Sequence, residues 1–213
     1  MVEILPSINF STFEEVKKYI RLVEPYVTWV HIDVADGTFT PHAVWHDAAD
    51  LKDFTTPLKI EIHFMVMEPE KKIFDWLLPN ISRIIFHQEA TREADSLIER
   101  CHEAKLEVGV AIRPDTSWEA LKPFIGKADL LQVLAVMPGS SGQEFYPDMF
   151  EKIKNLYSFA TTMPIEVDGG IKVGVARECV QAGATHLVAG AQLFSSGMPF
   201  EEALRALQAD ALS

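Results

Sequence analysis

The chain has 213 residues, which suits one domain, and 48% are hydrophobic, enough for a large core. Its net charge of −12 argues against a nucleic-acid or anionic-membrane surface, but leaves open a phosphorylated small molecule, because backbone amides bind phosphate locally. No apolar run is long enough to span a bilayer, the first residues lack a secretion-signal pattern, and Cys101 and Cys179 do not make a disulfide framework, so a reducing cytoplasm is expected.

Apolar strand-like runs alternate with amphipathic runs along the whole chain. The first strand is expected at about 2–6, and Ser11-Thr12 caps a helix with Glu14 and Glu15 in its first turn. The second strand covers about 27–34; a loop from Gly37 to His42 then leads to a helix near 45–53. The third covers about 58–66, with a helix opening at Glu68-Pro69, where proline suits a first turn. Ile81 to His87 is the fourth, before a helix from Thr91 to about Ala104; Leu106 to Ile112 is the fifth, before a helix from about Ser117. Asp129 to Val136 is the sixth, with a helix from Pro147 to Phe159. Ile165 to Asp168 is the seventh, with a helix from Val173 to Ala182; Thr185 to Ala189 is the eighth, with a last helix from Pro199 towards Leu207. About eight β-α units in this length predict a single-domain (β/α)8 TIM barrel over residues 1–213. The rival is a doubly wound sheet, but its Gly-x-Gly-x-x-Gly turn is missing after the first strand, which ends in Leu5-Pro6-Ser7.

The working residues of such a barrel stand at the C-terminal ends of its strands. In Val30-His31-Ile32-Asp33-Val34, alternation puts His31 and Asp33 on one face and the valines and isoleucine on the other. Alone, that pair reads as a buried hydrogen bond. His63 at the end of the third strand and Asp168 at the end of the seventh change the reading. Two imidazoles and two carboxylates suit Zn, Mn, Fe or Co with positions open to a substrate. Glu61 shares a face with His63, one step deeper, where it either orients a ligand or is paired with a cation. Gly139 to Gly142, Gly169-Gly170 and Gly190-Ala191 follow the last three strands, where barrels commonly bind phosphate. His87 is read as structural, Trp29, Trp76 and Trp118 as packing between helices and barrel, and Cys101-His102 as helix surface.

With these residues laid out, the chain resembles the ribulose-phosphate 3-epimerase family along nearly its whole length. The matching pieces are Leu5-Pro6-Ser7-Ile8, His31-Ile32-Asp33-Val34-Ala35-Asp36-Gly37, His63-Phe64-Met65-Val66, Pro138-Gly139-Ser140-Ser141-Gly142-Gln143, Glu166-Val167-Asp168-Gly169-Gly170 and Val188-Ala189-Gly190. The resemblance implies a metal-dependent ketose-phosphate 3-epimerase that interconverts D-ribulose 5-phosphate and D-xylulose 5-phosphate through a 2,3-enediolate. It implies His31, Asp33, His63 and Asp168 as ligands of a divalent ion (Zn, Fe, Mn or Co), and Asp33 and Asp168 as acid and base. Ser7, His63, Gly139, Ser140, Ser141, Gly142, Gly169, Gly170, Gly190 and Ala191 would hold the substrate. It also implies a homo-oligomer with no nucleic-acid or membrane partner.

The chain departs from the family pattern at several positions. Ala35 and Leu134 stand where methionines are usual, Gly139-Ser140-Ser141-Gly142 replaces Gly-Phe-Gly-Gly, and Ala191 replaces a serine. Asn9, Arg113, His42 and His46 are also unusual. Arg113 is expected either to pair with Asp115 or Glu89 or to face a phosphate. The space at Ala35 keeps a ketohexose 6-phosphate such as allulose 6-phosphate open as substrate. A phosphosugar-binding barrel without turnover is the reading from another class.

Overall fold

Alternation along each strand decides which side chains enter the barrel and which face the helices. The computed structural model describes residues 2–139 and 141–213. Eight parallel strands close on themselves in chain order: β1 (Glu3–Ile8), β2 (Trp29–Val34), β3 (Lys59–Phe64), β4 (Ile81–His87), β5 (Glu107–Ile112), β6 (Leu130–Leu134), β7 (Ile165–Asp168) and β8 (His186–Ala189), which pairs with β1. The predicted (β/α)8 barrel is the fold observed.

The outward set, including Val30, Ile32, Val34, Ile60, Ile62, Ile84, Phe86 and Val110, packs with the helices into one large apolar core. The inward set is different in kind. It holds only small apolar groups, Leu5 with Trp29 and Val188, and Ile85 with Ala111 and Leu130. The rest of the interior is polar: His31, Asp33, Glu61, His63, Arg83, His87, Gln132, Glu166 and Asp168 are all buried. Gly109 leaves room for this layer, since a Cβ there would lie 2.7 Å from Ile85 Cγ1.

The crossovers are less regular than the sequence pattern suggests. Among the described residues six segments are α-helical: α1 (Phe13–Val23), α2 (Ala94–Glu103), α3 (Asp148–Phe159), α4 (Val175–Ala182), α5 (Ala191–Phe194) and α6 (Phe200–Ala211). Thr12 caps α1 as expected, its side chain accepting from Glu15 N–H. The helices expected after β2, β3 and β5 are instead 3₁₀ turns, at Ala48–Leu51, at Pro69–Lys71 with Ile73–Trp76, and at Trp118–Phe124. Pro123 lies inside the last of these segments and supplies no N–H, so that segment lacks a hydrogen bond a regular α-helix would make. The short α5 directly after Gly190 has no counterpart in the sequence pattern.

Candidate metal centre and substrate cavity

The four predicted ligands meet at one point. His31 Nε2 lies 3.4 Å from Asp33 Oδ1 and 3.8 Å from Asp168 Oδ2. His63 Nδ1 lies 3.2 Å from each of the same two oxygens. The four donor atoms all fall within 4.8 Å of one another, and all four residues are buried. Four donors at bonds of about 2.1 Å around a tetrahedral ion would stand about 3.4 Å apart, so the spacing fits one divalent cation. His31 Nε2 carries a second sign of fit: it is buried and has no hydrogen-bond partner among the described residues, though it points at two carboxylates.

The electrostatics agree. Burial alone would raise the Asp33 carboxyl, but hydrogen bonds and charge from His31 and His63 hold it far below the ordinary range. Burial would likewise lower both imidazoles, yet the carboxylates win. His31 is pushed well up by Asp33, Glu61 and Asp168, and His63 rises to about 9 beside Asp168 and Asp33. Two carboxylates thus attract positive charge strongly enough to overcome desolvation of the rings. A divalent ion answers the same demand with neutral imidazoles.

Glu61 makes both of the contacts expected of it, one to His31 and one to a cation. Its Oε1 lies 2.6 Å from His31 Nδ1, so the ring's other nitrogen is free to face the centre. Its Oε2 accepts from Arg83 Nη1 at 2.6 Å. His31, Glu61 and Glu166 also gather closely enough to suggest a second ion. The Arg83 guanidinium already supplies positive charge there. Of the two adjacent acids, Glu61, beside His31 and Arg83, falls to about 2, while Glu166 is raised to about 8 by burial and by the charge of Glu61. Trp29 is not helix packing: its ring lies 4.3 Å from the Arg83 guanidinium, inside the barrel floor.

Above the ligands opens a cavity of about 280 Å³ lined by Asp33 and Asp168. Its wall also includes Ser7, Gly139, Ser141, Gly142, Gly169, Gly170, Gly190 and Ala191. Ser140 lies outside the described residues. Gly170 needs its glycine: φ is +69°, and a Cβ would meet Phe145 N at 2.5 Å. Ser7 and Asn9 both donate to Asp33 Oδ2, at 3.1 and 2.9 Å. That turns Oδ1 towards the two histidines and fixes the carboxylate plane. Sequence reasoning missed Lys172, the one cation among the described lining residues, which ion-pairs with Glu144 at 2.6 Å.

Arg113 resolves to its rim alternative. It pairs with Asp115, its backbone N–H donates to Glu89, and it lines neither this cavity nor a smaller one beside it. The ammonium of Lys152 fixes that loop by donating to the carbonyls of Arg113, Pro114 and Thr116. His42 lines only the side cavity, of about 200 Å³, with Asn9, Ala35 and Met65. Cys101 is not on a helix surface; it is fully buried with Leu97 on the inner face of α2. His87 does more than end β4, for its Nε2 lies 2.9 Å from His63 Nε2.

Comparison with known proteins places these features in a family. A model of the ribulose-phosphate 3-epimerase family matches residues 3–194. The ribulose-phosphate 3-epimerase of Schizosaccharomyces pombe is 32% identical over 204 residues, covering 93% of this chain and 90% of that one. The chloroplastic ribulose-5-phosphate-3-epimerase of Arabidopsis thaliana is 28% identical, covering 96% of this chain and 75% of that one. Among solved structures, 3-hexulose-6-phosphate synthase from Salmonella typhimurium superposes with a TM-score of 0.72 over 99% of both chains at 17% identity, a likeness of fold. No helix among the described residues is long and apolar enough to cross a membrane.

Proposed function

The chain belongs to the ribulose-phosphate 3-epimerase family, and from that premise we propose that it inverts C3 of a ketopentose 5-phosphate, interconverting D-ribulose 5-phosphate and D-xylulose 5-phosphate. The observation that carries the reading is the convergence of His31, Asp33, His63 and Asp168 at a cavity walled in part by glycine backbone.

Those four residues would hold a divalent cation, which when bound supplies a Lewis acid that stabilises negative charge on the C2 and C3 oxygens. The rest is work for the chain's own groups. Inversion needs a proton removed from one face of C3 and returned to the other. Asp33 from β2 and Asp168 from β7 both line the cavity and come from separate strands, which supports a role for one on each face of C3. Asp33 takes the proton, Asp168 delivers one, and the roles exchange in the reverse direction. Ser7 and Asn9 keep the Asp33 carboxylate in place throughout. The backbone at Gly139, Ser141, Gly142, Gly169, Gly170, Gly190 and Ala191 can approach a phosphate closely, and Lys172 can exchange Glu144 for it. Two unpaired buried cysteines suit a reducing cytoplasm.

The test is proton NMR in D₂O with metal-loaded protein and ribulose 5-phosphate. Xylulose 5-phosphate should form with deuterium at C3, and Asp33→Asn should slow exchange by about 10²–10⁴-fold. Binding without exchange would mark a non-catalytic phosphosugar barrel; no xylulose 5-phosphate would reject the pentose assignment. The side cavity beside Ala35 favours one second reading, a ketohexose 6-phosphate. Allulose 6-phosphate in the same assay decides it: a lower kcat/KM than for the pentose removes the hexose.

A further inference from the structure

His63 presents Nδ1 to the two carboxylates, so its other nitrogen must look outward. It looks at a second histidine. His63 Nε2 and His87 Nε2 stand 2.9 Å apart, with the rings stacked at 5.1 Å and 27°. Between two imidazole nitrogens at that distance one ring donates and the other accepts. The direction is set at the far end of His87. Its Nδ1 faces Glu89 Oε2 at 3.4 Å, and both buried atoms are otherwise without a hydrogen-bond partner among the described residues, so each is the nearest polar group left to answer the other across a gap slightly longer than a formed hydrogen bond. Glu89 Oε1 is held in turn by Arg113 N–H at 2.8 Å and by the Thr116 hydroxyl. The Phe39 ring, 4.5 Å from that of His87, lies against this pair.

A carboxylate only accepts. Facing Glu89, His87 carries its proton on Nδ1, which leaves Nε2 as an acceptor. His63 must then donate from Nε2, and its Nδ1 keeps a lone pair for the centre. The opposite ordering would put hydrogen on His63 Nδ1, aimed at the place where a cation binds. We propose that His87 and Glu89 are positioning residues: they hold His63 in the Nε2–H tautomer and thereby set the cation affinity of the centre. This rests on reading the His31, Asp33, His63 and Asp168 cluster as a metal centre.

Zinc is the probe, with its Kd measured at fixed pH by competition with a chelator, and folding checked by urea midpoint. His87→Phe keeps an aromatic ring but removes the acceptor, and Zn²⁺ affinity should fall by about 10–100-fold. His87→Gln returns an acceptor oxygen and should recover most of that loss, a rescue that a purely structural role would not give. Glu89→Ala attacks the chain from its far end and should also weaken Zn²⁺ binding. In zinc-loaded wild type, ¹⁵N NMR of the imidazoles should show hydrogen on Nε2 of His63 and on Nδ1 of His87; this reading needs no variant to fold. Hydrogen on His63 Nδ1, or unchanged Zn²⁺ affinity in a folded His87→Phe, overturns the proposal while the metal centre stands. Failure of wild type to bind Zn²⁺ overturns both.

Discussion

Replacing Arg83 by methionine tests whether the barrel floor is held by charge. Arg83 is 5% exposed, and its guanidinium donates to Glu61, which is fully buried. It also contacts Glu107, whose side chain is 44% exposed, so that half of the interaction is largely screened. Methionine replaces most of the apolar stem, so packing changes little. What remains is a buried carboxylate that has lost its guanidinium and keeps only His31, and breaking a buried pair costs up to about 3–5 kcal/mol. That is a large share of the roughly 5–15 kcal/mol by which domains are stable. At about 2–4 °C per kcal/mol for a chain of this size, melting should fall by roughly 6–20 °C. The assay is urea and thermal unfolding of metal-free protein, so that ion binding does not enter. Adding Glu61→Gln removes the stranded charge, and the double variant should be more stable than the sum of the two single losses predicts, with a coupling of about 0.5–3 kcal/mol. An Arg83→Met protein that melts within about 2 °C of wild type, on the order of the smallest shift expected for 1 kcal/mol, would refute the reasoning. So would strictly additive losses in the double variant.

Other changes probe the cavity and the core. Gly170→Ala meets both a left-handed φ and the Phe145 backbone, so it should cost at least about 2 kcal/mol and raise KM for a phosphorylated ketose; a variant of wild-type stability and KM would contradict the assigned corner. Lys172→Met should raise KM about tenfold while kcat changes little, and a fall in kcat alone would remove Lys172 from phosphate binding. Burial pushes the Cys101 thiol up to about 12 and raises Cys179 as well, so neither should react with iodoacetamide at about pH 8 in the folded protein, while both should in urea; native labelling would show an error in the packing of α2 or α4.

The centre was legible because its rule is simple. Residues two apart on a strand share a face, and closing the sheet turns one face of every strand inward, so alternation alone pairs His31 with Asp33 and Glu61 with His63. The corner glycines followed from their positions after the last strands. What was lost needed lateral register, which no single strand displays. The pairing of β3 with β4 shifts by one residue between Ile60 and Glu61, so Glu61 lies opposite Arg83 rather than Ser82. A slip of one residue exchanges the faces of a strand. Here it turns Arg83, Ile85 and His87 inward, and with them the partners of Glu61 and His63. Arg113 was ambiguous for a related reason: it stands one residue beyond the end of β5, where alternation no longer aims a side chain, and the nearby Asp115 captured it. Cys101 was within reach of the same reasoning, since Leu97, Ile98 and Cys101 have the spacing of a buried helix face.

The register shift also accounts for how the centre can be rigid before an ion arrives. His31 offers Nε2 and His63 offers Nδ1, opposite nitrogens of the same kind of ring. Two ligands related in that way cannot be aimed by one repeated contact, and each needs its own partner at the remaining nitrogen. Glu61 serves His31 from the strand beside it, and His87 serves His63 from the strand beyond. Both partners are in turn anchored, Glu61 by Arg83 and His87 by Glu89. Arg83, His87 and Glu89 all sit on β4 or the turn that follows it, so the inward rotation of one strand supplies the supports of two ligands that lie on others. Burying so much charge would be unfavourable if these groups were independent. Linked, they supply the low-dielectric, prearranged surroundings that the proposed proton transfers at Asp33 and Asp168 call for.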